Sequence, residues 1–286
     1  MRLTVGQLRY LLREAMSLKQ RPDHWEVTAG MLERAGSYMG FETRRAKGGG
    51  HEGYKTLETW APFQALKQMD AKGLSVVLQR HVPEGVTAND MLEVLKTEHS
   101  MTTKTGVKLV PESGLQDKVA QRAAEITAVR YQGQGIGMVV TPQSSSDFAR
   151  KFGTYLAGYL GAKPVPAGVI KNLNADQVKL DLPSGVEKTP AGRKAIADLE
   201  RWKRGLRAGH APSFRKTFDK RMARYVKGFM TAGDAVLDWG SGEPPKILFA
   251  DDVVTSGSTQ TDSARALKEL GFDVVANVAV FKEQQA

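Results

Sequence analysis

Ile247-Leu248-Phe249-Ala250-Asp251-Asp252-Val253-Val254-Thr255-Ser256-Gly257-Ser258-Thr259 is the stretch whose reading decides the fold. It begins as a short apolar run, Ile247 to Ala250, of the kind that is buried in a parallel sheet. Two adjacent carboxylates follow, Asp251 and Asp252, and then a turn of small hydroxyl residues around Gly257. A helix is predicted directly afterwards. Ala264, Leu267 and Leu270 share one face, and Gly271 is a suitable C-terminal stop. The loop therefore lies at the carboxyl end of a strand and the amino end of a helix, where backbone N–H groups and the helix dipole favour a phosphate. Glycine lets the backbone come close, and the hydroxyls add donors. The two carboxylates repel a phosphate and must serve something else: vicinal sugar hydroxyls or a magnesium ion. A sugar phosphate satisfies both halves, with its phosphate on Thr255, Ser256, Gly257, Ser258 and Thr259 and its ring over the acids. An ordinary strand–turn–helix with surface acids is the plainer alternative. It leaves two acids abutting a phosphate-type loop with no structural reason to be there.

The order apolar strand, Asp-Asp, two apolar residues, Thr-Ser-Gly-x-Thr resembles the phosphoribosyl pyrophosphate (PRPP) signature of type I phosphoribosyltransferases. The layout is most similar to the phosphoribosyltransferase domains of the competence-protein-F type, in which a basic stretch also precedes the signature.

Working outward, the 286-residue chain has room for one large domain or one domain plus an extension. A formal charge of +10 and a pI near 9.6 favour anionic partners such as nucleotides, pyrophosphate or nucleic acid. The absence of cysteine excludes disulfides, thiol chemistry and a zinc ribbon, and suits a reducing cytoplasm. No apolar run reaches the roughly 18 residues of a membrane helix. The charged N-terminus, with Arg2, Arg9 and Arg13, does not read as a signal peptide.

Upstream of the signature, three further places bear on function. A strand is predicted at Gly137-Met138-Val139-Val140, and it ends in Thr141-Pro142-Gln143-Ser144-Ser145-Ser146. A helix is predicted next, with Phe148, Phe152, Tyr155, Leu156 and Tyr159 on its core stripe. This is a second strand–loop–helix with a hydroxyl-rich loop, and serines capping the helix are its plainer reading. The loop carries no basic residue, and Arg150 and Lys151 follow a turn later. A third strand at 167–170 brings Lys171 to its carboxyl end, where ligands of such sheets bind. Between that strand and the signature lies a long basic segment, about 172–243. From Arg201 to Lys227 its only acid is Asp219. The family resemblance implies a flexible catalytic loop here that closes over pyrophosphate, and a solvated basic helix pair is the equally weighted plainer reading. Its aromatics, Trp202, Phe214, Phe218, Tyr225 and Phe229, are spaced for helix cores rather than for stacking on bases.

The first third offers less chemistry. Helices are expected at 4–16, at 25–39, at 57–71 with an interruption near Pro62, and from Thr87 to about His99, with a strand at 74–82. The glycine-rich basic run 44–54 reads as a surface loop, and His51 beside Glu52 has no second histidine at ligand spacing. The opening Leu-Thr-Val-Gly-Gln-Leu-Arg is similar to that of many phage-encoded proteins, which raises a virion or host-interaction role. A soft boundary at 98–108 divides an N-terminal, mainly helical extension (1–105) from a domain at 106–286. Within that domain, Ser113 and Gln116 read as a capping box. From residue 113 onward strands and helices alternate, which predicts an α/β fold: a mostly parallel sheet flanked by helices, joined by right-handed crossovers.

The family resemblance covers about 113–282 and implies the rest of the expectation. The activity would be transfer of phosphoribose from PRPP, with magnesium (Mg2+) as cofactor, to a nucleobase or related acceptor, with release of pyrophosphate. Asp251 and Asp252 would hold the ribose hydroxyls and residues 255–259 the 5′-phosphate. Ser144, Ser145, Ser146, Lys171 and Arg150 would address pyrophosphate. The partners are PRPP and an acceptor, with a homodimer and nucleic acid as lesser alternatives and no membrane. A non-catalytic sensor or structural protein on the same scaffold is the competing reading.

Overall fold

The computed structural model describes residues 20–21, 24–30, 58–64, 86, 88–144, 146–209, 214–223, 225–239, 242–254 and 257–282. In chain order the elements are β1 (Gln20–Arg21), β2 (His24–Val27), β3 (Glu58–Trp60), β4 (Phe63–Gln64), α1 (Ala88–Thr97), β5 (Met101–Thr102), β6 (Lys108–Pro111), α2 (Leu115–Tyr131), β7 (Ile136–Pro142), α3 (Phe148–Leu160), β8 (Lys163–Lys171), β9 (Lys179–Leu180), α4 (Pro190–Arg207), α5 (Phe214–Thr217), α6 (Lys220–Ala223), β10 (Val226–Lys227), β11 (Met230–Ala232), α7 (Asp234–Leu237), β12 (Lys246–Val254), α8 (Ser258–Glu269) and β13 (Asp273–Lys282).

β12 is apolar on both faces because both faces are covered. Leu248 and Ala250 pack on one side with Val119, Ala123, Phe148, Phe152 and Leu156 of α2 and α3. Ile247 and Phe249 pack on the other with Leu199, Trp202 and Leu206 of α4 and Ala264 and Leu267 of α8. This alternation is the period-two geometry of a strand between two helical layers. The main sheet runs β11-β8-β7-β12-β13-β3, with β4 also on β13. Its members are parallel except β11, which is antiparallel to β8. The fold is thus α/β with a mainly parallel central sheet flanked by helices, as the alternation of strands and helices predicts.

The connections run outward from the middle. The chain leaves β7 through α3 for its neighbour β8, and leaves β12 through α8 for its neighbour β13 on the opposite side. The strand order therefore reverses between β7 and β12, and a ligand crevice is expected at their carboxyl ends. The hydrogen-bond register opens it. β12 pairs with β7 only as far as Phe249 opposite Val140, yet stays on β13 to Val254 opposite Lys282. β7 meanwhile turns to β8, where Pro142 lies opposite Val169 and the Gln143 N–H donates to the Val169 carbonyl at 2.7 Å. The two central strands part at the level of Asp251 and Asp252. Close packing holds α3 beside this gap: a Cβ on Gly153 would sit 2.3 Å from Cγ2 of Thr141.

Several expectations are corrected. Residues 58–60 and 63–64 are strands on the edge of β13 rather than part of a helix at 57–71. The open edge of β13 supplies backbone partners, and Pro62 blocks a continuous helix. Trp25 to Val27 belong to β2, paired with β6, and not to a helix. The polar stretch 98–108 forms the β5–β6 hairpin around Gly106, and the domain boundary expected there remains an expectation. Ser113 caps nothing: α2 starts from Gly114 in the left-handed region, and Gln116 makes its bonds to Lys96 and Glu98. Tyr159 and Leu270, expected on core faces, are exposed. The expected helix at 4–16, the run 44–54 and the strand at 74–82 lie outside the described residues.

Candidate functional site at the parting of two strands

Asp251 and Asp252 do not follow the strand, as the sequence suggests, but lie inside β12, both buried. Each is provided there with polar partners, as buried polar groups require. Alternation sends them to opposite sides of the sheet. Asp251 faces α8, where Oδ2 accepts Nε2–H of Gln260 at 2.6 Å and Oδ1 accepts the Asp252 N–H at 2.8 Å. Asp252 pairs through Oδ2 with Lys96 Nζ at 2.5 Å. Lys96 comes from the last turn of α1.

α8 opens at Gly257, whose φ of 76° suits glycine. Glycine has no side chain with which to cap the helix, so the positive end of the dipole is directed at the end of β12. Ser258 is buried and Thr259 half-buried in the first turn. Thr255 and Ser256 lie outside the described residues, as does Ser145 in the other loop.

Across the gap, the serine loop is tied to its surroundings. Ser144 Oγ accepts the Ser146 N–H at 3.2 Å, and Ser146 Oγ accepts the Phe148 N–H at 3.2 Å. The same Ser146 hydroxyl donates to the Lys96 carbonyl at 3.2 Å. Gln116 Nε2 donates to that carbonyl as well, at 2.9 Å. The end of α1 is therefore fastened to both the serine loop and α2. Glu98, which follows it with φ 51°, accepts the Gln116 N–H at 3.1 Å and lies 3.6 Å from Lys151 Nζ.

The basic residues after the loop are already engaged. Arg150 grips both oxygens of Asp147 at 3.0 and 2.9 Å, and its hydrogen bond holds Asp147 below the usual carboxylate range. Lys151 meets Asp117 at 2.6 Å, and Tyr155 donates to the same carboxylate at 3.0 Å. The Lys151 bond, against the opposing effect of burial, holds Asp117 below its ordinary value of 3.8. Burial works against the Lys151 charge, but the bond to Asp117 raises its pKa. Lys171 ends β8 as expected, exposed, one strand away from the parting.

The far side of α8 is pinned to the sheet edge. Buried Asp262 accepts the Gly228 and Met230 N–H groups at 2.9 and 2.7 Å and Arg265 Nε at 2.7 Å. Burial opposes the Arg265 charge, and the Asp262 and Glu269 carboxylates more than offset it. In the basic segment, Trp202, Phe218 and Phe229 are buried and Phe214 stacks on Phe229 at 4.0 Å, so these rings form core as their spacing predicts. Arg207 is paired with Asp176 at 2.7 Å and Lys203 with Glu200 at 4.0 Å.

The structure thus brings together Asp251, Asp252, Gly257, Ser258 and Thr259, with Ser144 and Ser146 on the loop across the gap. It ties Arg150 to Asp147. Lys96, Gln116 and Gln260 were missed by the sequence reading. Gln260 had a signal, its place in the first turn after the motif, whereas nothing local marks Lys96. Among the described residues no group of three or more His, Asp or Glu could hold a metal ion. The carboxylates of Asp251 and Asp252 are oxygen donors of the kind that suits magnesium, an ion that takes most of its oxygens from ligand and water. No helix of the described residues is long and apolar enough to cross a membrane.

No protein-family model matches this sequence, and no curated protein matches it. Solved structures similar to it include an adenine phosphoribosyltransferase from Thermoanaerobacter pseudethanolicus, 17% identical over 67% of this chain and 99% of that one, with a TM-score of 0.30. Another is the enzyme from Saccharomyces cerevisiae complexed with an imino-altritol bisphosphate and adenine, 15% identical over 66% and 86%, with a TM-score of 0.31. A third is that of Leishmania tarentolae, 12% identical over 67% and 73%, with a TM-score of 0.32.

Proposed function

We propose that the protein is a phosphoribosyltransferase that binds PRPP with magnesium where β7 and β12 part, and passes phosphoribose to a nucleobase or related acceptor. The observation that carries this reading is the junction itself. A pair of buried acids and a glycine-started helix sit on one strand, and a hydroxyl loop sits on the neighbouring strand just where their pairing ends. Asp251 and Asp252 take the ribose hydroxyls, and residues 255–259 take the 5′-phosphate. Ser144, Ser145, Ser146 and Lys171 face the pyrophosphate. The bond from the anomeric carbon to pyrophosphate breaks, its electron pair leaves with pyrophosphate, and an acceptor nitrogen closes the new bond. The protein's work is to position the sugar, stabilise the leaving charge and exclude water. Magnesium, when bound, spreads the charge of the pyrophosphate. Residues 1–105 act as an extension to a domain at 106–286 and offer the acceptor its binding surface, in a cytoplasmic protein.

Calorimetry with PRPP and magnesium, followed by pyrophosphate release across purines, pyrimidines, nicotinate and ammonia, tests this directly. Binding and release are expected, and Lys171→Ala lowers turnover by a factor on the order of a hundred. The engagement of Ser146 and Arg150 in local bonds favours a second reading, a binder without turnover such as a nucleotide sensor or a virion protein. Tight PRPP binding with no release for any acceptor selects it. No binding at all removes both.

A further inference from the structure

We infer that Lys96, at the end of α1 and well before the β7–α3 unit in the chain, is a second cation, beside Lys171, that receives the pyrophosphate end of the ligand. The inference rests on the PRPP reading and deepens it.

Three observations converge on this residue. The first is placement. The Lys96 carbonyl takes hydrogen bonds from the Ser146 hydroxyl and the Gln116 amide, so the residue is fixed beside the serine loop. Its ammonium reaches Asp252 on the other strand, 2.5 Å away. Lys96 thus touches both sides of the parting, Ser146 of the serine loop through its carbonyl and Asp252 through its ammonium. The second is access. The Lys96 side chain is 26% exposed while that of Asp252 is 10% exposed, so the cation lies toward solvent and the acid behind it. The third is need. A departing pyrophosphate requires positive charge that acts more strongly in the transition state than in the ground state. The serine loop has no basic residue. Arg150 is held by Asp147 through Nε and Nη2, and Lys151 lies between Asp117 and Glu98.

In the free protein Lys96 and Asp252 satisfy one another, which avoids an isolated buried charge. On binding, sugar hydroxyls offer the acid new donors and a polyphosphate offers the lysine new acceptors, so neither group is left unpaired. The Lys96 ammonium acts through its charge alone. It stabilises the electron pair that leaves with pyrophosphate and gives up no proton.

The test compares PRPP with ribose 5-phosphate, each with magnesium, by calorimetry on the full chain. Lys96→Met is expected to weaken PRPP binding tenfold to a hundredfold, the scale of one charge-assisted phosphate contact, while ribose 5-phosphate binding changes less than about threefold. Lys96→Gln keeps an N–H donor for Asp252 without the charge and should behave like Lys96→Met. Protection of Lys96 from amine acylation in the unaltered protein, read by mass spectrometry, is expected with PRPP and not with ribose 5-phosphate. This readout holds even where the variants fold poorly. Equal losses for both ligands, no loss, or equal protection by both would reduce Lys96 to a partner of Asp252 and overturn the inference alone. An unaltered protein that binds neither ligand overturns the PRPP reading and this inference with it.

Discussion

The two strand–loop–helix units that flank the parting look alike in sequence and differ in how they use their polar groups. β12 with α8 is nearly self-contained: Asp251 is held by the next residue's backbone and by Gln260 a helical turn into α8, and Gly257 starts the helix. β7 with α3 spends its polar groups on fastening. Ser146 caps Phe148 and holds the end of α1, and Arg150 and Lys151 pair with acids outside the parting. The difference shows that hydroxyl-rich loops at equivalent places need not do equivalent work. One unit keeps its acid and helix start at the parting, where we propose the ligand binds, and the other is a bracket for a residue brought from elsewhere.

The strongest way to break this contrast is to neutralise the first unit. Asp251→Asn with Asp252→Asn should abolish the PRPP-induced rise in melting temperature, which for the intact protein at a hundredfold excess over Kd corresponds to about 2.7 kcal/mol. The readout is the difference between liganded and unliganded melts. An undiminished shift would take the ribose role from both acids.

Next in size is the anchor of that unit. Asp262→Ala strands two backbone N–H groups and takes one carboxylate from half-buried Arg265, and should cost about 3 to 5 kcal/mol of folding stability by denaturant titration. A cost below about 1 kcal/mol would mean that the edge strand β11 is not held this way. In the second unit, Gly153→Ala forces a methyl against Thr141 and should cost about 1 to 3 kcal/mol. The same measurement checks it.

Smaller effects sharpen the idea of a bracket. Asp117 is held below its ordinary value of 3.8 by Lys151, so its contribution is present above that value and is lost as pH falls through the lowered one. Asp117→Asn should therefore flatten stability against pH in the acid limb alone, by well under 1 kcal/mol given an exposed carboxylate. Equal slopes for both proteins below pH 4 would contradict the assignment. Smallest of all, Arg150→Ala should leave PRPP affinity unchanged within about twofold, or ~0.4 kcal/mol, because its guanidinium is committed to Asp147. A large loss would return Arg150 to the pyrophosphate side and weaken the contrast.

What could be read from sequence follows the range of the forces involved. The strand, acids, turn and helix at 247–269 are local, and so is the stripe of Phe148, Phe152 and Leu156 on α3. Hydrophobic period and end signals carry them. The extension of β12 through both acids was not legible, because it depends on pairing with β13 up to Lys282. Residues 58–64 read as helix for the same reason: the edge of β13 makes them strand. Lys96 leaves no trace at all in its own neighbourhood. Its role comes from a carbonyl bonded by two distant side chains and an ammonium that reaches a third.

That carbonyl has a consequence for variation at this position. The end of α1 is secured through the main chain of residue 96, and any amino acid other than proline could offer the same oxygen without disturbing the chain before it. Anchorage and charge are therefore separable here. Related chains or laboratory variants can exchange the group that looks into the parting while the scaffold that aims it stays in place, which makes residue 96 a position for tuning which anions the crevice prefers.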